Sequence, residues 1–201
     1  MLVNIVFSRY YVGMKSNHIY DYVERLSDLL RVDSRQAGSD HGLQPVQLEV
    51  LHYLSICNRY SDAPMAVTEY LGLTKGTVSQ TLKILEKKAL LSKKLDENDK
   101  RISHLRLTTE GVELINKTIP TAMFVNACKT LSDKKQSEIA LSLKHLLTTL
   151  LEANDLKTFG ICKSCRYNNK TEDGGHFCQL VEQPLSVDDI QLICREHQNK
   201  A

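Results

Sequence analysis

The chain has 201 residues, 26 basic and 24 acidic, for a formal net charge of +2. That length permits one or two domains with a substantial buried core, and no apolar run approaches the ~20 residues of a membrane-spanning helix. Paired catalytic carboxylates, a Ser/His/Asp set and a phosphate-cradling glycine loop are all missing from the sequence, so an enzyme is not expected.

Residues 1–17 form an N-terminal extension. MLVNIVFSRYYVG is mildly apolar but has neither a basic leading segment nor a small-residue cleavage site, so it does not read as a signal peptide. A start at Met14 is an equal alternative. The expected location is the cytoplasm. Residues 18–31 place Ile19, Tyr22, Val23, Leu26, Leu29 and Leu30 along one helical stripe. Residues 32–42 read as a polar linker, and Pro45 then suits the first turn of a helix burying Val46, Val50, Leu51 and Leu54. Cys57 closes that helix as a small core hydrophobe.

Residues 63–73 predict a short helix ending at Gly72, and Thr74 is a good N-cap for the next one. From Thr74 onward Val78, Leu82 and Leu85 make one apolar face. Lys75, Thr77, Ser79, Gln80 and Lys83 make a donor-rich face free of acids until Glu86. Two short strands over 91–95 and 101–107 follow, joined by the polar turn Asp-Glu-Asn-Asp-Lys. Residues 74–106 hold nine Lys/Arg against four Asp/Glu, a local +5 on a nearly neutral chain. Helix, glycine turn, polar-faced helix and basic hairpin is the arrangement that puts a recognition helix into the DNA major groove.

These motifs carry a family resemblance. Residues 18–152 resemble the MarR family of winged helix-turn-helix regulators, through Leu43-Gln44-Pro45, Thr74-Lys75-Gly76-Thr77-Val78-Ser79, Leu85-Glu86-Lys87-Lys88, Asp99-Lys100-Arg101 and Leu107-Thr108-Thr109-Glu110-Gly111. The resemblance implies a mainly α fold with a small β-hairpin wing, and a homodimer built by the N- and C-terminal helices. It also implies contacts to a pseudo-palindromic double-stranded operator from Thr74, Lys75, Thr77, Ser79, Gln80 and Lys83. Asp99, Lys100 and Arg101 would act at the wing, with Arg101 in the minor groove and Asp99 holding it. Ala89 departs from the family glycine before the wing; its Cβ resists positive φ, so a slightly different turn is expected there.

Beyond the wing, Thr109 is expected to cap a helix through Val112, Leu114 and Ile115, with Pro120 interrupting before helical character resumes to Cys128. Ser132 caps a last helix whose stripe (Ile139, Leu143, Leu146, Leu147, Leu150, Leu151) reads as core or dimer seam.

Composition then changes. Residues 153–201 form a cysteine-rich segment with Cys162, Cys165, Cys178 and Cys194 spaced C-x2-C-x12-C-x15-C. In a cytosolic chain this pattern points to a metal, and a polar segment this small needs one for its folding free energy. Either zinc or an iron–sulfur cluster fits, one centre per subunit, with His176 and His197 as further candidate donors. The spacing bears a loose likeness to high-potential iron–sulfur proteins. A zinc deaminase is excluded, since His176-Phe177-Cys178 lacks the required acid. A loop at Asn168–Gly175 and a short helix from Ser186 carrying Cys194 and His197 are predicted. The resulting expectation is a repressor under metal or redox control. The alternative is an electron-transfer metalloprotein with a vestigial DNA-binding core.

Overall fold

The computed structural model describes residues 15–97 and 99–200; the extension and the Met14 alternative lie outside them, apart from residues 15–17. Helix α1 (Lys15–Ser39) is followed by α2 (Pro45–Ile56), α3 (Pro64–Leu71) and α4 (Lys75–Lys87). Strands β1 (Leu91–Leu95) and β2 (Ser103–Leu107) pair antiparallel, with Leu91 opposite Leu107 and Leu95 opposite Ser103. Then come α5 (Thr109–Thr118), α6 (Ala122–Lys129) and α7 (Asp133–Ala153). No helix among the described residues is long and apolar enough to cross a membrane.

The core is centred on α2, where Leu48, Val50, Leu51 and Tyr53 are fully buried. Val67 of α3, Val78, Leu82 and Leu85 of α4, Leu91, Leu105 and Ile115 close around it. Each such side chain contributes roughly 1.5–3 kcal/mol by leaving water, so the polar face of α4 is fixed by what its apolar face buries.

Three turns differ from expectation. The linker at 32–42 is mostly helix: nothing breaks α1 until Gly42, whose φ of 63° reverses the chain. There Leu43 N–H donates to Gly38 O and Gly42 N–H to Ser39 O, the paired bonds of a left-handed helix stop. The cap of α5 is Thr108 rather than Thr109, its Oγ1 accepting from Gly111 N–H. At the helix-to-wing junction Ala89 takes φ 57° after all, with Leu90 N–H donating to Leu85 O. The turn is kept, and a left-handed alanine costs about 1–2 kcal/mol.

The cysteine-rich segment is folded differently from its prediction. Strands β3 (Asn168–Lys170), β4 (His176–Cys178) and β5 (Gln183–Leu185) form an antiparallel sheet in that order, so the expected loop is a hairpin. Helix α8 (Val187–Gln191) stops at Leu192, and Cys194 and His197 lie beyond it in non-helical backbone. The reason is tertiary. Ile193 gives its N–H to Ile56 O and accepts from Asn58 N–H, which takes residues 192–194 out of the helix.

Candidate nucleic-acid interface and the cysteine chamber beside it

Thr74 caps α4 as expected, its Oγ1 accepting from Thr77 N–H at 3.1 Å. Lys75, Thr77, Ser79, Gln80 and Lys83 are all exposed, while Val78 and Leu82 anchor the opposite face. At the wing Arg101 is 90% exposed, yet paired with Asp99. Its Nε and Nη2 donate to Asp99 at 2.9 and 2.7 Å, and its own N–H donates to Asp99 Oδ1 at 3.0 Å. The guanidinium holds the Asp99 carboxyl below its ordinary pKa. Lys100 Nζ donates to Asp96 O at 2.9 Å, so of the three wing residues it is turned back onto the turn. The nine predicted interface residues thus lie on two adjacent elements, α4 and the wing tip.

Sequence reasoning missed His104. Its Nδ1 lies 2.6 Å from Asp62 Oδ1, and its Nε2 lies 3.1 Å from Asp96 Oδ2. Ionised carboxylates only accept hydrogen bonds, so with both acids ionised the bridge is made by the imidazolium form of the ring. Asp62 foremost, then Asp96, raises the His104 pKa against partial burial, while burial raises that of Asp62. This bridge, with Leu105 N–H donating to Asp62 O, ties the wing to the turn between α2 and α3. In the strand pairing His104 stands opposite Lys94, two residues before Asp96, and that was the available signal.

The same turn receives the C-terminal segment. Phe159 is buried in the core, with its ring 6.1 Å from Tyr53 and 5.2 Å from Tyr70. Arg59 donates to Pro184 O at 2.7 Å and pairs with Asp189 at 3.3 Å. Arg195 donates its backbone N–H to Ser61 Oγ and grips Glu69 of α3 with Nε and Nη2 at 2.7 and 2.6 Å.

The four predicted ligands Cys162, Cys165, Cys178 and Cys194 do come together. They line one cavity of about 50 Å³, with Asn58, Tyr60, Asn168 and Leu185 also in its wall. All are free thiols. Burial, then the neighbouring Cys194, Cys165 and Cys178, pushes the Cys162 thiol up to about 12. Among the described residues no three His, Cys, Asp or Glu side chains stand close enough to share one ion. The histidines are engaged elsewhere. His176 Nδ1 donates to Asn168 Oδ1 at 2.7 Å. His197 is 6% exposed, with Thr158 Oγ1 2.9 Å from Nδ1 and Ser164 Oγ 3.0 Å from Nε2. Both of its nitrogens being taken, the zinc set that includes His197 does not fit. Cys57 and Cys128 stand apart from this chamber, and Cys57 is a core residue as expected.

Comparison with known proteins supports the winged-helix fold. Residues 41–102 match the sequence model of the MarR family. The winged-helix core resembles that family. An HTH-type transcriptional regulator of Bacillus subtilis (strain 168), YkoM, itself uncharacterized, is 28% identical over 137 residues, 61% of this chain and 86% of its own. Among solved structures, a point mutant of MepR from a multidrug-resistant S. aureus clinical isolate superposes with a TM-score of 0.52 at 25% identity. It aligns with 65% of this chain and 97% of its own. A MarR transcriptional regulator from Methanosarcina mazei Go1 shares the fold, with a TM-score of 0.58 at 19% identity over 68% of this chain and 99% of its own. These relatives are spanned almost end to end by about two thirds of the chain. The chain therefore carries sequence beyond the part that resembles them.

Proposed function

We propose that the protein is a homodimeric transcriptional regulator that binds a pseudo-palindromic operator and represses by occupying it. The observation that carries this reading is the α4–wing surface. A capped helix presents an acid-free row of donors, beside a wing tip whose arginine is exposed and pre-oriented. An electron-transfer protein would have no use for either feature, and MarR-family relatives are transcriptional regulators.

The dimer follows from unburied apolar faces. On α1, Ile19, Leu26 and Leu29 are exposed, and on α7 Leu143, Leu147 and Leu150 are too. Helical stripes of this kind bury against a partner. Pairing α1 and α7 with those of a second subunit would set the two α4 helices about one DNA turn, ~34 Å, apart.

Within the interface, Gln80 reads a base, because a carboxamide pairs bidentately with adenine, whereas Lys75 and Lys83 hold phosphates. Thr74, Thr77 and Ser79 supply short donors, and Arg101 enters a narrow minor groove, where negative potential concentrates. Gln80→Ala is expected to relax preference at one base position at a cost of ~1–3 kcal/mol. Arg101→Ala should weaken operator binding with little change in melting temperature, since its Asp99 pair is a surface one. Titrations of operator and scrambled DNA check both. Equal loss on the two DNAs for Gln80→Ala would remove its base-reading role.

A further inference from the structure

We propose that the four-cysteine chamber binds an iron–sulfur cluster, and that its occupancy is transmitted to the helix-turn-helix through the turn between α2 and α3. The coupling part rests on the DNA-binding reading above.

The chemistry of the chamber selects the ligand. A single zinc holds four sulfurs about 3.8 Å apart, around bonds of 2.3 Å. Here the four thiols are set around a cavity of about 50 Å³ instead of meeting at a point. A water needs only ~10–15 Å³, so the space suits a body several times larger. Four thiolates with no histidine serve a cluster as readily as zinc, so the separation of the thiols is what favours the cluster. Each thiol would give its proton to solvent on ligation.

An independent observation is Asn58, 1% exposed. Tyr60 N–H donates to its Oδ1 at 3.2 Å. Ser61 Oγ already accepts from Arg195 N–H, so its hydroxyl donates to the same Oδ1 at 2.9 Å. The amide orientation is thereby fixed, with Nδ2 on the remaining side of a residue that lines the thiol chamber. Asn58 Nδ2 makes no hydrogen bond of ordinary geometry there, and the thiol it faces is Cys194. A buried donor without an acceptor is costly, and a thiolate or bridging sulfide is the acceptor this chamber would supply. Opposite it, Asn168 Nδ2 donates to Cys162 O at 3.1 Å and lies 3.8 Å from Cys162 Sγ, held there by His176. Asn58 and Asn168 are positioning residues for the cluster. Amide donors to thiolate sulfur tune cluster potential and stability.

The same residues carry the signal. Cys194 stands between Ile193, which is hydrogen-bonded on both sides to the end of α2, and Arg195, which grips Ser61 and Glu69. Glu69 lies on α3, which packs against α4. Asp62, next to Ser61, holds His104 and so the wing. A cluster that draws Cys194 inward acts on both elements of the DNA-binding surface, by a route separate from the dimer helices.

The test begins with full-length protein purified without oxygen. Iron and acid-labile sulfide in equal amounts, with broad visible absorption, are expected. Stoichiometric zinc without sulfide, or no metal at all, would overturn the cluster. Operator affinity is then compared between this protein and the same protein stripped by chelator, with dimer state and helix content confirmed for each. A change of roughly tenfold or more is expected. Glu69→Gln, which is not a ligand, should keep iron and sulfide while shrinking that change. Asn58→Asp, which keeps the acceptor for Tyr60 N–H and Ser61 and loses the Nδ2 donor, should shift the cluster's reduction potential. Equal affinity with and without cluster overturns the coupling. A loaded cluster on a protein that binds no DNA in either state overturns the regulatory reading and leaves the cluster assignment supported.

Discussion

Gly111→Ala is expected to destabilise the protein by about 3 kcal/mol, the upper end of what overpacking costs. A Cβ built on Gly111 collides with Leu90 O and falls 3.1 Å from Leu90 C. Both are backbone atoms at the base of the wing, and Leu90 O already accepts from Thr108 N–H. No side-chain rotation relieves such a contact; α5 has to move away from β1, and the Thr108 cap with it. Gly76 supplies the comparison. A Cβ there meets nothing closer than Thr74 Oγ1 at 3.8 Å, so Gly76→Ala within α4 should be neutral or stabilise by up to ~1 kcal/mol. Urea unfolding of the two variants checks the pair, and a Gly111→Ala midpoint equal to that of the wild type would contradict the close approach.

His104→Ala is expected to cost about 2–3 kcal/mol near pH 6, because it leaves the buried Asp62 carboxylate without its partner. The pH dependence has a definite sign. The folded state raises the His104 pKa, chiefly through Asp62. The stability from this bridge is therefore full below the unfolded histidine value of ~6.5 and is lost as pH rises through the higher folded value. Melting temperatures of wild type and variant should converge across that window. A gap that stays constant or widens with pH would show that the ring acts through packing instead of charge. The wing should also loosen in the variant, since Asp96 is the second anchor of the ring.

Much of this arrangement was legible in the sequence because local rules and tertiary packing agree there. The 3.6-residue stripe of Val78, Leu82 and Leu85, the Thr74 cap and the basic hairpin locate α4 and the wing within two residues. The stripes on α1 and α7 were visible for the same reason. Where packing between distant segments decides, the sequence was silent or misleading. Residues 187–197 have helical pattern throughout, yet Ile193 leaves the helix to pair with the end of α2. Ala89 keeps a left-handed turn that its side chain resists, because Leu85 and Leu90 on either side of it are buried. The cysteine spacing announced a shared site. It could not show that His197 is occupied by Thr158 and Ser164, or that Asn58, from a different part of the chain, completes the wall. The segment departs from the end of α7. It docks on the α2–α3 turn, through Phe159, Arg59 and Arg195.

The central claim is sequence-specific DNA binding through α4 and the wing. Selection from a random duplex pool by the full-length protein, followed by titration of the enriched sequence across salt concentrations, tests it most directly. The account predicts an inverted repeat with half-sites centred about one helical turn apart. It predicts affinity at physiological salt at least ~10³-fold above that for random DNA. Gln80→Ala should alter the recovered sequence, and Lys83→Ala should only flatten the salt dependence. A pool that emerges unenriched, with binding equally weak on every duplex, would contradict it.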